Sequence, residues 1–575
     1  MNRRDFLRGS LGATALPLPS VGRTFPPSRG ALRRDLDEAR RAKSGRSADS
    51  GDGVAPAQSR ADDFVSQAER LKPSLARTVH APTSVVEPVA DAGAFLRWRM
   101  NRTASAESIE SRLFKPGDTV ILDFGTHLTG HFALSLGGEG RGIDAPARLK
   151  LTFGEVPGEV AEPFDPYKGW LSRAWLQDEI INVDVLPATI QLPRRYAFRY
   201  VKIEVIATSP NYALRIAGVK TTALSSGSAA YSPLAAATPE RLREIDEVSV
   251  RTLRECMQTV FEDGPKRDRR LWIGDLRLQA LTNYVTVRNF DLVKRCLLLF
   301  AGLPREDGLV SACVFEDPQP LRGHEYIMDY AALYAATVVD YAEAANDWDT
   351  AVTLWPVVKR QMELLTKYVS ADGVFADPGG WWIFIDWSEP LERTASMHGV
   401  LLYSLRYALK LARKVGAPES AEYARLIELM KAGGHRAFYD RAQQLFVSGP
   451  KRQVSWATQA WMALSGVASR EEGARALTAV KRIEAAVRPG APYLYHYVAD
   501  AMIQCGLQAD ALDLTDWYWG GMVQAGADTF WEVYDPKNPS LSPYGNVLTN
   551  SYCHAWSCTP AYLLRKSGLA ALTPR

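Results

Sequence analysis

The apolar residues of this chain change their period once, near Ser225-Ser-Gly-Ser, and that switch limits what the chain can fold into. Before it, from about residue 78 to 222, short β-branched stretches partly alternate apolar and polar positions. Examples are Thr119-Val-Ile-Leu-Asp-Phe, Ala147-Arg-Leu-Lys-Leu-Thr-Phe and Tyr200-Val-Lys-Ile-Glu-Val-Ile, separated by Gly and Pro clusters. A period of two puts one face of each strand in a core and one in water, which predicts an antiparallel β-sandwich. After the switch, apolar residues recur at helical spacing in eleven segments: 239–260, 276–300, 326–345, 350–369, 395–415, 420–438, 456–464, 470–487, 493–505, 509–523 and 551–567. So many paired helices can make a solenoid, a bundle or a closed double-helical barrel, and period alone does not choose among them.

Composition removes several function classes. The chain balances 68 basic against 65 acidic residues for a net charge of +3, so no global field favours nucleic acid. No apolar run reaches the roughly 18 residues that a membrane span needs; 330–345, the best candidate, is broken by Asp340 and Glu343. No Gly-rich phosphate loop, HExxH motif or nucleophile elbow is present. The six Cys form no CxxC, which predicts buried free thiols. Cys553, His554 and Cys558 could serve as metal ligands but lack a second pair at zinc-site spacing, so neither a metal nor a cofactor is expected.

At the N-terminus, Asn2-Arg3-Arg4-Asp5-Phe6-Leu7-Arg8 followed by a mildly apolar stretch resembles a twin-arginine export signal. It implies a periplasmic or secreted protein. Residues 21–67 are rich in Arg, Ser, Ala, Asp and Pro with only Phe25 and Phe64 as aromatics, the composition of a flexible leader. The expected organisation is a signal over 1–30, a disordered leader over 31–75, a β-sandwich over 76–228 and a helical domain over 229–575.

Three clusters in the helical half carry candidate chemistry. In Glu262-Asp-Gly-Pro-Lys-Arg-Asp-Arg-Arg-Leu-Trp-Ile-Gly-Asp275, Gly264-Pro265 forbids a regular helix. The loop can aim Asp263, Asp268 and Asp275 at one polyhydroxylated ligand beside Trp272; the alternative is a surface loop of ion pairs. The second cluster is Asp528-Thr-Phe-Trp531-Glu532-Val-Tyr-Asp535, followed by Tyr552-Cys-His554-Ala-Trp556 at the start of a helix. Trp531 would wall off Glu532 from stray water. The third, Trp381-Trp-Ile-Phe-Ile-Asp386-Trp387, is either aromatic core or a site wall around a buried Asp386. Twelve of the fifteen Trp lie at or after Trp272, which suits sugar stacking as well as a large helical core. Two carboxylates on separate loops meet the requirement of glycoside hydrolysis, in which one protonates the leaving oxygen and the other activates water or attacks the sugar.

These motifs resemble glycoside hydrolase family 78, the α-L-rhamnosidases, over roughly residues 85–566. In the β region the likeness lies in Ile121-Leu-Asp-Phe-Gly125, Phe153-Gly-Glu155 and Leu192-Pro-Arg-Arg-Tyr-Ala-Phe-Arg-Tyr200. The resemblance implies an accessory β-sandwich followed by an (α/α)6 six-hairpin barrel, anomeric inversion and no metal for the chemistry. It also implies roles for single residues. Asp268 falls at the general acid and Glu532 at the general base. Asp263, Arg267, Trp272 and Asp275 match the loop gripping the rhamnose, and Trp387 and His554 match sugar contacts. The acid position is usually Glu in that family, with one more residue before the Trp; here it is Asp268 in a shortened loop. The expected partner is a rhamnosylated glycoside or polysaccharide. Competing readings are a six-hairpin glycosidase for another α-linked deoxy sugar or a uronic acid, with Arg267 or Arg322 meeting the sugar carboxylate, and a non-catalytic sugar-binding homologue.

Overall fold

The computed structural model describes residues 55–566, 568–572 and 574, with side chains from Arg60 onward. The twin-arginine motif and most of the expected leader lie outside the described residues. Where the leader is described, the expectation of disorder fails. Helix α1, Ala55–Arg70, buries Phe64 and Ala68 in the large helical core. A Cβ on Gly302 would stand 2.7 Å from Val65 and 2.9 Å from the Ala61 carbonyl, so only glycine lets α1 approach this closely. Arg295 reaches back to the Ala68 carbonyl and, at 3.1 Å, to Glu69. A polar composition averaged over the segment hides two apolar residues at i, i+4. On a helix that pair is enough once another domain supplies the surface.

The β-domain begins and ends where the alternating pattern does. Its strands are β1 (Ala76–His80), β2 (Ser84–Ala90), β3 (Trp98–Ser105), β4 (Leu113–Phe114), β5 (Thr119–Gly140), β6 (Ala147–Gly154), β7 (Asp178–Val183), β8 (Ala188–Gln191), β9 (Tyr196–Ala207) and β10 (Tyr212–Ser225). All pairings are antiparallel, in the order β1-β10-β5-β9-β6-β7, with β2 and β8 also on β5. Alternate residues Leu149, Leu151 and Phe153 of β6 join Phe198, Val201 and Ile203 of β9 in one core. The register of β5 against β9 slips between Asp123 and Leu128, where Gly125 has φ +78°. That bulge turns His127 out toward the helical domain.

Twelve helices follow among the described residues, in six hairpins: α3 and α4 (Glu240–Cys256, Ile273–Val285), α5 and α6 (Phe290–Gly302, Met328–Ala345), α7 and α8 (Trp348–Thr366, Thr394–Val415), α9 and α10 (Glu419–Phe438, Trp456–Ser465), α11 and α12 (Arg470–Val480, Pro492–Gln504), α13 and α14 (Gln508–Gln524, Pro560–Lys566). A short helix, α2 (Pro157–Ala161), belongs to the β-domain. The even-numbered members from α4 to α14 pack each on the next, and α14 returns to α4, closing an inner ring. Their sequences are apolar almost all round, as a helix enclosed on every side requires; Met328 to Val339 of α6 are all buried. Side chains set the ends. Asp347 caps α7, Ser455 caps α10 and a Ser469–Glu472 capping box starts α11.

Two helix expectations are corrected. Residues 276–300 are not one helix. Asn283 bonds both the N–H and the carbonyl of Asn289 at 3.0 and 3.1 Å, and Asn289 then caps α5. Local amide chemistry there outcompetes an unbroken apolar period. Likewise 551–559 is a loop with one tight turn, Ala555–Ser557, and α14 starts only at Pro560.

Candidate active site

The loops that lead into the inner helices gather at one end of the ring, where the N-termini of those helices favour negative charge. The loop before α4 is not a surface loop of ion pairs: Glu262, Asp263, Lys266 and Arg267 are buried. Asp263 accepts from the N–H groups of Asp268 and Arg270 at 3.0 and 3.1 Å, which fixes the loop's curvature. Burial and the neighbouring Asp268 charge push the Asp263 carboxyl up to about 7. Lys266 turns away from the site to Glu159 of α2 and, at 3.5 Å, to Glu155. Arg195 of the β-domain grips both oxygens of Glu262 at 2.8 and 2.7 Å. The accessory domain therefore holds the loop from behind.

Arg267 is the centre of the arrangement. Its guanidinium bonds Glu532 on one side and Asp268 on the other, the latter at 3.3 Å, while its Nε donates to the Thr549 carbonyl at 2.7 Å. Glu532 also accepts from the Tyr544 hydroxyl and from the Ser551 N–H at 3.2 Å. Its side chain is 2% exposed, against 17% for Asp268. One carboxylate thus lies at the floor and the other at the mouth of the same space. Asp275, in the first turn of α4, meets His554 Nε2 at 3.1 Å. Burial pushes the Asp275 carboxyl up. Burial alone would lower His554, but the bond to Asp275 and the charges of Glu532 and Asp263 outweigh it and raise the imidazole.

The third cluster closes the wall. Asp386 is buried and accepts from the Gly490 N–H; burial pushes its carboxyl up to about 7. The Trp387 ring stands edge-on to Phe384 and Tyr544, with centroids 5.2 and 5.7 Å away. Asp329, unremarked in the sequence, holds this segment by accepting from the N–H groups of Phe384 and Ile385 at 2.8 and 3.0 Å. Five buried polar atoms of the expected site have no hydrogen-bond partner among the described residues: Trp272 Nε1, Trp387 Nε1, Trp531 Nε1, Asp386 Oδ1 and His554 Nδ1. Groups of this kind are costly to bury alone, and a polyhydroxylated ligand can satisfy donors and acceptors together.

Trp531, the expected wall beside Glu532, also meets the β-domain. It is buried, stacked on Phe95 of the β-domain at 3.8 Å, and cements the domain junction. Tyr544, like Asp329, is a residue that reading the sequence missed. It lies in a Pro-rich loop with no periodic or motif signal, yet its ring covers Arg267 at 4.1 Å and its hydroxyl holds Glu532.

All six Cys are free and buried, as the absence of a CxxC predicts. Cys553 lies 3.9 Å from Cys256 and His554 faces Asp275, so the three residues read as potential metal ligands do not converge. No group of three or more His, Cys, Asp or Glu among the described residues is placed to hold a metal.

Residues 82–223 match the glycosyl hydrolase family 78 α-rhamnosidase N-terminal domain, and residues 237–567, more than half of the chain, match the bacterial α-L-rhamnosidase 6 hairpin glycosidase domain. The chain belongs to glycoside hydrolase family 78. Among solved structures, this family 78 hydrolase is similar to a rhamnosidase from Klebsiella oxytoca with rhamnose bound. The identity is 45% over 88% of this chain and 99% of that one, with a TM-score of 0.86. A family 78 rhamnosidase of Bacillus sp. GL1 shares the fold at 22% identity and a TM-score of 0.67, over 81% of this chain and 49% of that one. The α-L-rhamnosidase of Streptomyces avermitilis shares it at 15% identity and 0.61, over 86% and 44%. A comparison with curated proteins gave no match. The six hairpins of this family 78 glycosidase place its two candidate carboxylates across one guanidinium.

Proposed function

We propose that this hydrolase releases terminal α-L-rhamnose with inversion, using Asp268 as general acid and Glu532 as general base. The observation that carries the reading is the set of bonds around Glu532. A carboxylate has about four acceptor sites, and three are taken by the Arg267 guanidinium, the Tyr544 hydroxyl and the Ser551 N–H. One remains, which suits a single oriented water. Arg267 between the two acids keeps them apart by a guanidinium and two hydrogen bonds. At full extension that span reaches the roughly 6.5–9.5 Å that inversion needs to fit the water.

In the reaction, Asp268 at the mouth gives its proton to the glycosidic oxygen as the C–O bond breaks. Water attacks the anomeric carbon from the opposite face and loses its proton to Glu532. The sugar identity is supported by the Klebsiella relative, whose structure holds rhamnose. Of the two cations expected to serve a uronic acid, Arg267 is occupied by two carboxylates and Arg322 donates to the Pro304 carbonyl at 3.1 Å.

Asp268→Asn and Glu532→Gln test the assignment. The first should slow natural rhamnosides far more than activated aryl rhamnosides, which need little protonation. The second should slow both alike, with rescue by azide giving inverted product. Full activity of Asp268→Asn on a natural rhamnoside would remove the acid assignment.

Export by the twin-arginine route belongs to the same proposal, supported by Arg3-Arg4 and Phe6-Leu7. Replacing both Arg by Lys and fractionating cells tests it, and unchanged export would count against it.

A further inference from the structure

The β-domain sends one residue onto the loop that carries Tyr544. Trp170 lies in the segment between α2 and β7 and is 61% exposed, an unusual state for an indole. It is nevertheless fixed. Its Nε1 donates to the Pro543 carbonyl at 2.9 Å and its backbone N–H to the Tyr544 carbonyl at 3.1 Å. Its ring leans on Tyr544 with centroids 5.6 Å apart. The supporting segment is itself stapled. Arg173 bonds Asp165 at 2.9 Å and Asp178 at 2.7 Å, and Phe164 and Leu176 share a small core with Leu548. Tyr544 then touches Glu532 through its hydroxyl and Trp387 through its ring. Tyr544 also covers Arg267, which bonds Asp268, so a single aromatic residue separates an exposed, immobilised indole from the group that joins the two carboxylates.

From this geometry we infer that Trp170 is an aglycone platform: the accessory domain contributes a stacking surface for the leaving group of the glycoside. The inference rests on the glycosidase reading above and extends it to what lies beyond the scissile bond. Packing does not account for Trp170, because most of its ring faces solvent while both of its hydrogen bonds are spent on orientation. A face held rigid before binding loses little entropy when a ligand covers it. An indole face recognises a neutral ring with a flat, weakly polar surface. Planar phenolic groups and the apolar face of a pyranose both qualify, and the substrates below distinguish them.

The test compares three α-L-rhamnosides whose leaving groups are methanol, a phenolic bicycle and a hexopyranose, in wild type, Trp170→Ala and Trp170→Phe. The quantity read is kcat/KM for each ring-bearing substrate divided by kcat/KM for the methyl glycoside. Trp170→Ala should lower at least one of these ratios about tenfold, chiefly through KM, and Trp170→Phe should restore most of it. The substrate whose ratio falls identifies the aglycone class. If neither ratio moves by more than about twofold, the platform is overturned, whether or not overall activity drops, because a structural defect lowers all three substrates together. A wild-type enzyme inactive on every rhamnoside would instead remove the rhamnosidase reading, and the platform with it.

Discussion

Tyr544→Phe isolates one interaction at Glu532, the proposed catalytic base. The substitution removes a single hydroxyl, which donates to Glu532. The ring remains, and with it the contacts to Arg267 at 4.1 Å, Trp387 at 5.7 Å and Trp170 at 5.6 Å. A hydrogen bond to a charged acceptor contributes about 1.5–3 kcal/mol. If that orients the base in the transition state, kcat falls roughly 10- to 150-fold. KM should change little, because Tyr544 bonds the base rather than the sugar, and the melting temperature should move by only a few degrees with the ring still packed. The assay is steady-state hydrolysis of an aryl α-L-rhamnoside, with thermal unfolding measured on the same samples. Tyr544→Ala, which also deletes the ring over Arg267, should lose more activity and lose stability as well. A Tyr544→Phe enzyme within about twofold of wild type in kcat would refute the claim that this hydroxyl positions the base.

The remaining predictions concern the support of the site. Lys266→Met strands Glu159 and Glu155, both buried. Removing one partner of a buried ion pair costs about 3–5 kcal/mol, so equilibrium unfolding should show a loss of that order. Glu159 is held up to about 7 by burial, so the loss should shrink in acid as the carboxyl takes a proton and no longer needs the cation; unchanged stability at neutral pH would contradict the reading. Asp386 is raised to about 7 in the fold, against about 3.9 unfolded. Between those values the folded chain holds a proton that the unfolded chain has lost, so this group's contribution to stability falls as pH rises from about 4 to 7 and is level above. Asp386→Asn keeps an acceptor for Gly490 and should flatten that limb of the melting-temperature curve; a parallel curve would show that Asp386 is not the group titrating.

The sequence determined by itself most of what depends on neighbours within a few turns, the Asn283–Asn289 break excepted. Alternation over 119–124, 147–153 and 200–206 marks strands, and helical spacing over 326–345 marks a helix. Gly264-Pro265 marks a loop, and the Asp263-to-Asp275 and Thr529-to-Glu532 motifs mark the two loops that carry the candidate carboxylates. Tertiary structure decided what meets what. Arg267 and Glu532 are 265 residues apart and come into contact only because the inner ring closes, bringing the last hairpin back to the first. No local period encodes ring closure. The same reason hid Tyr544, whose loop carries no pattern, and the stacking of Phe95 of the β-domain on Trp531. It also hid α1, since Phe64 and Ala68 are too few apolar groups to fold alone and are sufficient against a surface that another part of the chain has already built. Burial is a property of the assembled chain, and the chemistry of this site depends on burial.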